Sequence, residues 1–178
     1  GDDVLDVFNE KVESGSKNFL IDMNDSKVVN SIGVSILIEI IEKLQSTTFQ
    51  STPLTNSRLK YLSNIAQITE DHISRIGLGL SISKGNVRTD WKPSKLENEN
   101  SIISHSSKEK HLRSKTLFKD ELPLWLGLIL QYQNPGDYNS WRTISKLHWE
   151  RGVELLMEKS LENSDWIRTI NSCFNTSK

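Results

Sequence analysis

The stretch FLIDMNDSKVVNSIGVSILIEIIEKL, Phe19–Leu44, constrains the fold of this chain more than any other. Phe19-Leu20-Ile21 reads as a short buried strand, and Asp22–Lys27 is too polar to continue it. A second apolar step, Val28-Val29, then delivers Asn30-Ser31-Ile32-Gly33 to the start of a strongly apolar helix. The helix is expected over Ser31–Leu44, where Ile32, Val34, Ile36, Leu37, Ile40, Ile41 and Leu44 cover a wide face. Many are β-branched, so packing rather than propensity has to hold them helical. The order strand, turn, helix places the Ser31 hydroxyl and several free backbone N–H groups at a helix N-terminus, a position suited to an anion or a phosphorylation switch.

Around this core the first half alternates. Val4, Leu5, Val7, Phe8 and Val12 have helical spacing, with Asp2-Asp3 at the positive end of the dipole. Gly15 stops that helix and Lys17–Met23 is the strand. Ser46–Asn56, with Pro53 and several Ser and Thr, reads as an inserted loop. Arg58–Asn64 is expected as a second strand, Thr69–Ile76 as a short helix with Gly77 at its C-cap, and Leu80–Ser83 as a last strand. The result is an α/β class, a small sheet covered by helices, over residues 1–88.

Lys17–Leu44 resembles the central part of a STAS domain, the fold of anti-sigma-factor antagonists and of sulfate-transporter tails. In that family a buried strand ending in Asp leads to an Asp-Ser-Ser-Gly loop that opens a helix. Here Asp22 ends the strand and Asn30-Ser31-Ile32-Gly33 stands in the loop, with Asn30 in place of the acid. RLKYLSNIAQITEDHISRIGL is similar to the second half of the family, so the likeness covers roughly residues 2–84. It implies a partner-binding surface around Ser31, Asn30, Gly33 and Asp22. It also implies a regulatory kinase that phosphorylates Ser31 and so weakens partner binding by adding nearly two negative charges. The alternative role for Ser31 is a plain helix N-cap.

Residues 89–119 read as a basic linker. Positions 92–119 hold 7 Lys and Arg against 3 Asp and Glu, with little apolar content. His105 and His111 lack acidic or cysteine companions at ligand spacing, so no metal site is expected there. Residues 120–178 read as a helical segment. Leu122–Leu130 begins with Pro in a first turn, Asn134-Pro135-Gly136-Asp137 forms a turn, and Trp141–Leu161 follows with helical spacing. Trp166, Ile167, Ile170 and Phe174 make a final amphipathic stretch capped by Ser164. All five tryptophans lie beyond residue 90, and Trp125, Trp141, Trp149 and Trp166 are the interface candidates. Within residues 120–130, DELPLWL is similar to the L-P-L-W-L-A helix of GINS subunits of the replicative helicase.

Composition narrows function. A formal net charge of −1 argues against nucleic-acid binding by bulk electrostatics. One cysteine, Cys173, excludes an internal disulfide and a cysteine-rich zinc site. No apolar run approaches the ~18 residues of a membrane span, and a cytoplasmic setting is expected, or a nuclear one for a GINS-like subunit. The close glycines Gly77 and Gly79 lack the rest of a phosphate-binding loop, and no acid–base, cofactor or metal constellation stands out. The sequence therefore points to a non-enzymatic regulatory protein–protein interaction module, alternatively a scaffold subunit of a larger eukaryotic assembly.

Overall fold

The computed structural model describes residues 31–163 and 165–174, with side chains from residue 38 onward. The expected first helix, the strand Lys17–Met23 with Asp22, the loop to Asn30 and the Ser164 cap lie outside the described residues. What is described is mostly helical, with one two-stranded antiparallel sheet.

Helix α1, Ser31–Gln45, matches its expected span and buries Ile40 and Leu44, four residues apart. Glu39 and Lys43 pair one turn apart on its outer side. The Thr47 hydroxyl donates to the Lys43 carbonyl at 2.8 Å and so closes the helix end. Strand β1, Thr48–Gln50, then pairs with β2, His111–Arg113, with Phe49 opposite Leu112. Both central residues are buried, and Phe49 meets Phe118 edge-on at 5.8 Å.

Several expectations for residues 46–83 are corrected. The expected loop Ser46–Asn56 contains β1 and the start of helix α2, Pro53–Ala66. Thr52 is the N-cap, accepting from the Thr55 N–H at 3.2 Å, and Pro53 fills the first turn, where its missing N–H costs nothing. The expected strand Arg58–Asn64 is therefore helix, with Thr55, Arg58, Leu59 and Leu62 buried at helical spacing. Helix α3, Glu70–Ser83, has 14 residues and runs well past the expected end at Ile76. Gly77 is not its C-cap and Leu80–Ser83 is not a strand. The helix runs through Gly77 because another helix packs there and needs the missing side chain, while the actual stop is Gly85 at φ +82°.

The expected linker is laced onto α2 and the start of α3. Asn56 donates to the Lys108 carbonyl at 2.8 Å, Ser57 Oγ accepts from the Ser106 N–H at 2.8 Å, and Lys110 pairs with Glu70 at 2.9 Å. Its few apolar residues are well used: Ile103, Leu112, Leu117 and Phe118 are buried. Low apolar content misled here because the segment packs on a buried polar face, with Asn56, Ser57 and Arg58 beneath it.

Helix α4, Ser114–Phe118, leads to α5, Leu122–Leu130, which begins as expected with Pro123 in its first turn. The Asn134–Asp137 turn has Gly136 at φ +80°. Asp137 then caps α6, Tyr138–Glu162, accepting from the Asn139 and Ser140 N–H groups at 2.8 and 3.1 Å. The Ser140 hydroxyl and these N–H groups hold the Asp137 carboxyl below its ordinary range. At 25 residues α6 is the central post, packed against α1, α2, α3, β1 and the last helix, α7, Trp166–Phe174. One hydrophobic core takes residues from α1 through α7.

Candidate functional site

Ser31 and Gly33 are the first and third described residues of α1. Asn30 and Asp22 lie outside the described residues, and the described first turn of α1 carries no acidic residue.

The four tryptophans divide. Trp149 is fully buried and Trp141 nearly so, both on the inner face of α6, which makes them core residues rather than surface anchors. Trp125 and Trp166 are half-buried. The ring of Trp125 lies over Gly79, so that a Cβ there would sit 3.6 Å from it.

Three buried polar groupings went unseen in the sequence. In the first, Arg58 lies fully buried and donates through Nε to Glu99 at 2.9 Å and through Nη1 to Glu154 at 2.7 Å. It also donates to the Ser94 carbonyl, while Glu154 accepts from the Ser94 N–H at 2.8 Å. One cation thus fastens residues 94–99 to α2 and α6. In the second, the buried Glu150 accepts from the Thr52 N–H and from Thr55 Oγ1 at the start of α2, a carboxylate on the positive end of a helix.

The third lies between α3 and α6. The two backbones touch at Gly77 and Gly152: a Cβ on Gly152 would come within 1.9 Å of the Gly77 oxygen. One turn on, Ser81 Oγ sits 3.0 Å from His148 Nδ1 and accepts from Arg151 Nε at 2.8 Å. Arg151 also donates to the carbonyls of Ser81, Gly85 and Asn86, closing the negative end of α3. Burial, with the Arg151 cation beside it, pushes the His148 imidazole down to about 4. Its Nε2 has no partner among the described residues. A serine beside a neutral histidine could begin nucleophilic chemistry only where substrate can reach it, and both side chains are fully buried.

The outer surface is different in kind. On α7, Thr169 and Cys173 face the core, and burial pushes the Cys173 thiol up, away from reactivity. Ile167 and Phe174, seven residues apart and so on one side, are 72% and 64% exposed. On α5, Leu124 is 51% exposed. A shallow, open depression lies at the α2–α3 turn, bordered by Lys60, Asn64, Gln67 and Glu70. His105 and His111 are exposed, and the described residues contain no group of three or more metal-ligating side chains. No described helix is long and apolar enough to cross a membrane. The chain matches no family model, no curated protein and no solved structure.

Proposed function

We propose that this chain is a non-enzymatic regulatory module that binds another protein, controlled at the start of α1. The observation that carries the reading is the outward apolar stripe of α7, where Ile167 and Phe174 face solvent. Large apolar side chains aligned on one helix face suit a protein partner. The buried polar groups support the same reading, since Arg58, Glu99, Glu150 and Arg151 are all engaged by neighbours within the chain. The switch is phosphorylation of Ser31 by a kinase, as the STAS-like Asn30-Ser31-Ile32-Gly33 loop implies. A phosphate there adds negative charge at the start of α1 without breaking the helix, because its N-terminus tolerates an anion. Affinity capture with the full chain, scored for retained protein and for phosphate on Ser31, tests this. Ser31→Asp is expected to release most of the captured partner and Ser31→Ala to keep it. Equal capture by both variants sinks the switch.

A scaffold subunit of a larger assembly, GINS-like in its α5, is the second reading. It is favoured by α5 itself, nine residues without a charged or strongly polar side chain and with Leu124 outward. Under that reading the isolated chain self-associates or precipitates and is rescued by its neighbouring subunit.

A further inference from the structure

The Ser81–His148–Arg151 grouping contains one more property. Arg151 Nε can only donate, so Ser81 Oγ accepts from it, and the hydroxyl hydrogen is left to donate to His148 Nδ1. In the neutral ring with its proton on Nε2, which has no partner among the described residues, Nδ1 is free to accept from Ser81. A second proton on the imidazole turns Nδ1 into a donor toward Ser81, strands the hydroxyl hydrogen and buries a new cation beside Arg151.

Among the described residues no acid stands ready to offset that cation. From α3 the facing group is the Ser81 hydroxyl, and the charge acting on the ring is that of Arg151. The acids closest along α6 are committed elsewhere, Glu150 to the start of α2 and Glu154 to Arg58. Glu70 and Asp71, on α3, face Lys110. On α1 Glu39 is paired with Lys43 and Glu42 is exposed, Asp165 just before α7 is paired with Arg168, and β1 carries no charged residue. The glycine contact at Gly77 and Gly152 leaves the two helices no room to adjust while they stay together.

We propose that the α3–α6 seam is an acid-triggered joint, in which protonation of His148 frees the C-terminal half of α3 and residues 84–87 from α6. The sign follows from linkage. In the closed state the imidazole is held at about 4, against 6.5 for a free side chain. The closed seam is therefore fully favoured above pH ~6.5 and loses ground as pH falls towards ~4. Each pH unit in that window multiplies the opening equilibrium by up to ~10, approaching ~300-fold across it. Below the window no further change arises from this group.

Hydrogen exchange on the full chain, corrected for intrinsic rates, reads the opening directly. Amides of residues 77–87 are expected to lose protection by up to ~300-fold between pH 6.5 and 4, with far smaller losses at the β1–β2 pairing. His148→Gln is expected to flatten that dependence, because glutamine does not titrate. Undiminished protection of 77–87 at pH 4, equal loss throughout the chain, or the same acid loss in His148→Gln each overturns the proposal. If His148→Gln does not fold, the contrast between the two segments of the unmodified chain decides.

Discussion

The inner face of α6 and the outer face of α7 both carry large apolar residues, yet they meet opposite surroundings. At the inner face the partner is already present: Gly152 meets Gly77 backbone to backbone, and Trp141, Trp149, Val153 and Leu156 are closed over by neighbouring helices. At the outer face Ile167 and Phe174 meet solvent, and α7 anchors itself through Thr169 and Cys173 instead. Composition alone would not separate them. What separates them is the approach distance that small residues permit, so stability should be concentrated at the first face and binding at the second.

The sharpest way to break this contrast is at the seam itself. Gly152→Ala puts a methyl group where the Gly77 oxygen stands, 1.9 Å away, and the helices must part to admit it. Denaturant unfolding should register a loss above ~4 kcal/mol, enough to unfold a marginal domain. Gly79→Ala, also on α3, is the control with the opposite sign. Its Cβ would make only an ordinary contact with Trp125 at 3.6 Å, so helix propensity should prevail and stability rise by up to ~1 kcal/mol. If both alanines behave alike, the seam is not the close contact described.

The next effect concerns the two buried arginines. Arg58 is matched by carboxylates, whereas Arg151 is matched by carbonyls and a hydroxyl. Arg58→Met leaves the buried Glu99 without its cation and should cost ~3–5 kcal/mol by urea denaturation. A double variant, Arg58→Met with Glu99→Leu, should recover much of that loss, because an apolar pair needs no desolvated charge. Failure to recover would mean that the ion pair specifies the packing of residues 94–99 as well as neutralising charge.

The parts legible in sequence were those whose signal is local. α1 and α5 have dense aliphatic runs, Pro123 marks a first turn, and Asn134–Asp137 is a turn by its own chemistry. The parts misread were those decided at a distance. Thr52-Pro53 opens α2, but the polar residues after it hide a helix whose buried side includes Arg58 and Asn56, satisfied by partners beyond residue 90. Gly77 carries the sequence mark of a helix stop and functions as a contact with Gly152, 75 positions along the chain. Ser81 and His148 are 67 positions apart, and nothing local in either segment announces their meeting. Trp141 and Trp149 looked like interface residues by type, and only their place on the inner face of α6 assigns them to the core.

The smallest expected change in stability tests the central claim, that α7 presents a docking face rather than unfinished core. In the full chain carrying both Ile167→Ser and Phe174→Ser, the melting temperature should stay within ~3 °C of the parent, since neither side chain packs inward. The protein partner retained by the parent chain in affinity capture should be lost. A melt lowered by ~10 °C or more, or a partner retained undiminished, would contradict the account.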